Sequence, residues 1–261
     1  MNSAVPFWFQ SADEGGTPPE PPVGVELIGN SIRFLDQAYT TQRNVGTAGS
    51  SSTVTISVWS KGIALNNNGN NGPTENPCAF SSRRSDGARK FRFSNNNLSI
   101  TDNNGGTLFA GAIIANVARW FDSNGWTHAV LAVDTTQATN AECVRMWING
   151  VEQPLAFTNT WNGQDISCFT ANNTMNLFGD WGNQNPGSGF TQVLGYHTEF
   201  RIVDGQQLTA DAFGVYDENG VWSPRPEDEV NTRVGDYGTN GAYLGFEDPN
   251  VTTNTANLNQ A

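Results

Sequence analysis

Arg119-Trp120-Phe121-Asp122-Ser123-Asn124-Gly125-Trp126-Thr127-His128-Ala129-Val130-Leu131-Ala132-Val133-Asp134-Thr135-Thr136, followed by Val144-Arg145-Met146-Trp147-Ile148-Asn149-Gly150-Val151, reads as paired long strands. Trp126 opens the first strand, and Val144 to Ile148 forms the next. Val144, Met146 and Ile148 alternate onto one face, because side chains along a strand point to opposite sides with a period of two. Asn149-Gly150 supplies the two positive φ angles that a tight hairpin turn needs.

The same alternation recurs on both sides of this stretch, between clusters rich in Asn and Gly. Strands are expected over Glu26 to Leu35, Thr53 to Ser60, Cys78 to Ser82, Lys90 to Phe93, Asn97 to Thr101, Thr127 to Asp134, Cys143 to Asn149, Thr174 to Phe178, Val193 to Val203 and Ala242 to Phe246. Many short strands punctuated by turn residues specify an antiparallel sandwich. In Thr53 to Ser60, Val54, Ile56 and Val58 share one face and Thr55 and Ser57 the other, so each strand is expected to have one packed and one wet face. Two helical pieces are expected. One is Leu208 to Gly214, with a Thr N-cap, an acidic first turn and a Gly stop; the other is a turn or two within Ala112 to Phe121.

Composition agrees with strand and loop chemistry. Of the 261 residues, 37% are hydrophobic and only 15% charged, with 28 Gly and 12 Pro, which fits neither a helical bundle nor a disordered chain. Lys plus Arg number 13 and Asp plus Glu 25, a net charge of −12 that opposes binding to nucleic acid or to an anionic membrane. Cys78, Cys143 and Cys168 have neither metal-ligand nor redox spacing and are expected to be buried free thiols. No basic leader and no long apolar run is present, so folding in a cytoplasm is expected.

Residues 1 to 24 form a Pro/Gly-rich arm, with Gly15-Gly16-Thr17-Pro18-Pro19-Glu20-Pro21-Pro22 unable to join a sheet interior. The folded domain is expected over residues 25–248, followed by a short polar tail over 249–261. The aromatic run Phe7-Trp8-Phe9 has two readings: it anchors the arm to a partner, or it packs on its own sandwich.

The Trp126 to Val151 pattern resembles the laminin G-like, concanavalin A-type jelly roll. A second set of blocks resembles a group of laminin G-like virion proteins of tailed bacteriophages. These are Asn30-Ser31-Ile32-Arg33-Phe34, Val54 to Trp59, Gly195-Tyr196-His197-Thr198-Glu199-Phe200-Arg201-Ile202-Val203-Asp204-Gly205-Gln206-Gln207-Leu208-Thr209, Phe213-Gly214, Gly220-Val221-Trp222-Ser223-Pro224 and Tyr237-Gly238-Thr239-Asn240-Gly241-Ala242-Tyr243-Leu244. The resemblance spans Asn30 to Phe246. It implies a concanavalin A-like antiparallel sandwich and a stand-alone virion protein, on tail or head, whose partners are other virion proteins and a host-surface glycan. A homotrimer would suit either location.

Catalytic readings find little footing. Two carboxylates facing a sugar from one strand would show as E-x-D-x-E, whereas Glu227-Asp228-Glu229 follows Pro224 and Pro226 and reads as a solvated acidic turn. His128 and His197 sit inside strands with no H-E-x-x-H, and no G-x-S-x-G occurs, so no catalytic residue is assigned. For ligands, a loop Trp beside amides and carboxylates combines a stacking face with hydroxyl partners. This pattern selects Trp161, Asn162 and Asp165, and Asp180, Trp181 and Asn183; the alternative is that each Trp plugs the sandwich end. Laminin G-like domains often hold Ca2+ at a loop edge, which makes Asp180 and Asp102 the candidate metal ligands; the alternative is turn-forming Asx residues, and no cofactor other than Ca2+ is implied. Three functions therefore stand: an adhesion module with a lectin-like domain, a capsid decoration protein binding no sugar, and a carbohydrate-active enzyme on the same fold.

Overall fold

The computed structural model describes residues 30–34, 41–64, 78–84, 87–94, 97–104, 107–114, 125–157, 160–166, 168–169, 173–177 and 194–246. They build an all-β sandwich in which every strand pairing is antiparallel. The first sheet runs β1 (Ile32–Phe34), β13 (Leu194–Asp204), β3 (Thr53–Ala64), β8 (Trp126–Asp134), β9 (Val144–Ile148) and β10 (Val151–Glu152), with β16 (Ala242–Leu244) also on β13. The second runs β11 (Leu155–Phe157), β7 (Thr107–Ile114), β6 (Asn97–Asn104), β5 (Gly87–Ser94), β4 (Cys78–Arg84), β12 (Asn173–Leu177) and β2 (Thr41–Val45). A separate hairpin joins β14 (Gly214–Tyr216) to β15 (Trp222–Pro224).

Between the sheets lies the apolar core that the alternation marks. Val54, Ile56 and Val58 of β3, Leu131 and Val133 of β8, Val144 and Met146 of β9, and Phe200 and Ile202 of β13 are all buried there, with Ile148 half-buried at the margin. Cys143 and Cys168 are buried, as expected, and neither forms a disulfide; the side chain of Cys78 lies outside the described residues.

The expectation of one wet face per strand fails at the centre of the first sheet. Thr55 and Ser57 are as buried as their apolar neighbours, because residues 205–241 fold back over that face as a covering layer. Val130, Ala132, Trp147 and Val203 of the sheet meet Ala210, Phe213, Val230, Val234 and Tyr237 of the layer in a second apolar cluster. The Thr55 hydroxyl donates to the Gln206 carbonyl (2.7 Å) and accepts from the Leu208 amide (2.9 Å), so its polarity is satisfied by protein instead of water. The alternation at β3 marks polar against apolar, not wet against dry.

Local differences have local causes. Glu227-Asp228-Glu229 is not a loop but the first turn of helix α2 (Glu227–Val234), where three carboxylates face the positive end of the helix dipole and Arg225 pairs with Glu229 at 2.6 Å. Pro226 precedes the helix at a position where its missing N–H costs nothing. Ala112 to Ile114 close strand β7 and form no helix; residues 115–124 lie outside the described ones. The piece expected over Leu208 to Gly214 is a single 3-10 turn, Ala210–Ala212, and Gly214 already opens β14. Cys143 belongs to helix α1 (Asn140–Cys143), which Thr139 and Glu142 close with a reciprocal capping box.

Candidate functional site

The two ends of β8 offer different surfaces, ~27 Å apart by the rise of eight strand steps. At the Asp134 end sits the loop predicted to bind ligand. Its Trp161 is only 4% exposed and belongs to the core between the sheets, so the stacking face assigned to it is not at the surface. The local bonding explains this inward turn. The Trp161 amide donates to Asn140 Oδ1 (2.8 Å), the Gly163 amide to the Thr135 carbonyl (2.7 Å), and the Ile166 amide to the Ser51 carbonyl (2.8 Å). Asn162 and Asp165 do lie on the exposed rim, with Asn162 Nδ2 donating to the Gln137 carbonyl at 2.5 Å. Asp180, Trp181 and Asn183, like Phe7, Trp8 and Phe9, lie outside the described residues.

Carboxylates at this end are occupied. Burial would raise Asp134, but hydrogen bonds from Gln137, Thr136 and Thr53 outweigh it and hold its carboxyl below the usual range. Asp204 accepts from the Ser50 amide (2.7 Å) and from both the amide and the side chain of Asn240 (3.1 Å each). The Tyr237 to Gly241 block thus wraps Asp204. Asp102 lies within strand β6, opposite Arg89 and Phe109, and not at the loop edge expected of a calcium ligand. Among the described residues no three His, Cys, Asp or Glu side chains gather as a metal site.

Both histidines are fully buried on the first sheet. The indole N–H of Trp222 can only donate, so His128 Nδ1 accepts it at 2.9 Å. The ring proton therefore sits on Nε2 and donates to Ser57 Oγ at 2.8 Å. Burial first, and the nearby Arg201 charge second, push the His128 pKa down to about 3, and the neutral ring stacks on Trp59 at 4.6 Å. His197 is held by Ser60 at 2.9 Å. Each imidazole is a packing element.

Beside them Glu199 adopts a positive φ of 48° in a β-bulge, which aims its carboxylate at buried Arg201 (2.5 Å) and at the Tyr243 hydroxyl (2.9 Å). The Arg201 guanidinium lies 3.9 Å from the Tyr243 ring centroid, a cation resting on an aromatic face under the covering layer. Arg201 Nε and Nη2 and Trp59 Nε1 are buried without a hydrogen-bond partner.

The opposite end, where β8 begins, presents aromatic and aliphatic surface. The Asn149-Gly150 turn forms as the sequence predicts, with φ of 46° and 78°, and joins β9 to β10. Trp222 lies against it: a Cβ on Gly150 would fall 2.5 Å from the indole ring, and one on Gly214 would meet its other edge at 2.5 Å. Tyr216, opposite Trp222 in the hairpin, meets the indole edge-on at 4.8 Å and donates its hydroxyl to the Asn149 carbonyl at 3.1 Å. The Tyr216 ring is thus fixed yet 50% exposed, and Val151 and Val221 are 56% exposed. At the same end and on the same face of the sheet, register places Lys61 between Trp126 and the exposed Tyr196. The ligand-residue pattern passed over Tyr216 and Trp222. The available signal was the turn Asp217-Glu218-Asn219-Gly220 between a Tyr and a Trp, which places two aromatics opposite each other on one hairpin face.

No protein-family model matches the chain, and no curated protein matches it in sequence. Among solved structures it is similar to mouse laminin alpha1 chain domains LG4-5 (12% identity, TM-score 0.44, 75% of this chain and 48% of that one). It is also similar to the CBM40 of the Ruminococcus gnavus IT-sialidase (13%, 0.44, 69% and 92%). A third is the full-length tailspike protein 2 of the Escherichia coli bacteriophage CAB120 (14%, 0.42, 74% and 25%). The chain spans about half of the laminin fragment and a quarter of the tailspike.

Proposed function

We propose that this chain is a non-enzymatic surface protein of a bacteriophage virion, carried on tail or head, whose jelly-roll domain serves attachment. The observation that carries the reading is the division of polar and aromatic groups over the first sheet. Its histidines and its buried Arg201–Glu199 pair are used in packing, whereas one end exposes a fixed tyrosine. Such a surface suits recognition of a partner and not bond cleavage, which needs titratable groups within reach of substrate. The sequence blocks that resemble virion proteins, spread from Asn30 to Phe246, support the same reading. In it the Pro-rich arm is a tether, and Phe7, Trp8 and Phe9 dock into a neighbouring virion subunit while the domain faces outward.

Labelling of intact particles with an antibody to the domain tests this. Copies on tail appendages support receptor binding; symmetric copies over the shell support decoration; absence from particles overturns the virion reading. Deleting residues 1–24 should leave a folded domain that no longer enters particles. Normal incorporation of that variant would place the anchor elsewhere.

A further inference from the structure

The cover over the first sheet stops at a definite row of residues. Thr198, Trp59 and His128 lie opposite one another on β13, β3 and β8 and are at most 2% exposed, with Trp222 of the covering layer resting on His128. Residues two apart along a strand share a face, so the next row on that face, about 7 Å further on, is Tyr196, Lys61 and Trp126. That row is open: Tyr196 is 37% exposed, and Lys61 and Trp126 are half-buried. Register adds Arg33 of β1 beside Tyr196. Cationic and aromatic residues therefore alternate across four strands, Arg33, Tyr196, Lys61 and Trp126, at about 4.8 Å per step. The charge of Lys61 is uncommitted. Among the described residues Arg145, Arg201, Arg225 and Arg233 each pair with a carboxylate, and Lys61 pairs with none.

We propose that this row is the contact for an acidic glycan. A pyranose lays the C–H side of its ring on Tyr196 or Trp126 and pairs its carboxylate with Lys61, and Arg33, two strands or about 10 Å away, takes a second acidic unit. The proposal rests on the attachment reading and moves its ligand contact from the Trp161 loop to the opposite end of the sandwich. The chemistry of the row selects the occupant. A neutral sugar offers no counter-charge to a lysine set between two aromatic residues. A nucleic acid would bring one phosphate per nucleotide to a chain of net charge −12, with two cations here to meet it. A stable protein interface draws on about 20–30 residues a side, far more than this row holds. A carboxylate carried on a sugar ring needs what the row supplies, a cation beside a flat apolar face.

The test is titration of the full chain with tetragalacturonate, tetramannuronate and a hyaluronan tetrasaccharide, with chitotetraose as the neutral counterpart and octathymidylate as the polyphosphate, followed by tryptophan fluorescence and by NMR saturation transfer. At least one acidic tetrasaccharide should bind with a Kd of about 1 mM or below, about tenfold more tightly than chitotetraose, and more weakly as salt is raised. Lys61→Gln should weaken it about tenfold at unchanged melting temperature, whereas Lys61→Arg, which keeps the charge, should stay within about threefold. Tyr196→Ala, which removes a ring and leaves the charge, should weaken it about three- to tenfold. Equal binding of chitotetraose, binding that survives Lys61→Gln, or no saturation transfer from any acidic tetrasaccharide at about 10 mM overturns the proposal. Tighter binding of octathymidylate overturns it too and assigns the row to a nucleic acid. Because particle labelling is independent of sugar binding, failure here with copies still on the virion leaves the virion reading standing and removes only the glycan contact.

Discussion

His128 accepts a hydrogen bond from Trp222 with one ring nitrogen and donates one to Ser57 with the other, so a second ring proton would break the Trp222 contact inside a buried layer. Burial first, and the Arg201 charge second, hold its pKa at about 3 in the folded protein, against near 6.5 in the unfolded chain. The unfolded chain binds more protons between those values, so the contribution is complete above pH ~6.5 and falls toward pH 3, by about 1.4 kcal/mol per pH unit. Urea midpoints at pH 7 and pH 5 should show this slope, and His128→Gln should flatten it. An unchanged slope would mean that other groups titrate. Trp161→Ala should cost ~3–5 kcal/mol, as removal of a core Trp does; an unaltered melting temperature would return that residue to the ligand candidates. The sequence left plug and ligand open for Trp161 because both put a Trp beside Asn and Asp; the choice is made by backbone bonds to Thr135, Asn140 and Ser51, residues distant in the chain.

The strands were the most legible elements, and the least legible were those whose form depends on what lies above them. Val54, Ile56, Val58, Val144 and Met146 point inward as their spacing predicts. The helix at Glu227 was hidden by its two prolines, although a Pro followed by three acids is also how a helix begins. The β14–β15 hairpin shows in the sequence only through its turn, Asp217 to Gly220 between a Tyr and a Trp; arms of three residues are too short for alternation to mark, and they pack through Trp222 lying against Gly150, on a turn some 70 residues earlier. That contact gives a prediction for the element. Gly150→Ala adds a Cβ at a positive φ and 2.5 Å from the indole, and should lower stability by ~2–4 kcal/mol while loosening the hairpin. Limited proteolysis should then cut within Asp217 to Gly220; resistance equal to the parent would show that the hairpin does not depend on this contact.

For the molecule as a whole, the sandwich class was legible from period and turn chemistry, and the covering layer was not, because Thr55 and Ser57 look the same in sequence whether they face water or a second layer. Residues 205–241 supply that layer, and β13, just before it, pairs with β1, β3 and β16. A protein ending at Gly205 should lack the cover over Val130, Ala132, Trp147 and Arg201 and should be insoluble when expressed; a soluble product with a cooperative melt would contradict the account. The order of synthesis gives this arrangement a kinetic meaning. While β3, β8 and β9 leave the ribosome, β13 and the lid are still untranslated, so the nascent chain must hold an open, sticky sheet until residues 194–241 emerge. Folding is thus deferred until that segment has emerged. Chaperone demand, expression temperature and yield should all be governed by how quickly that closing segment arrives.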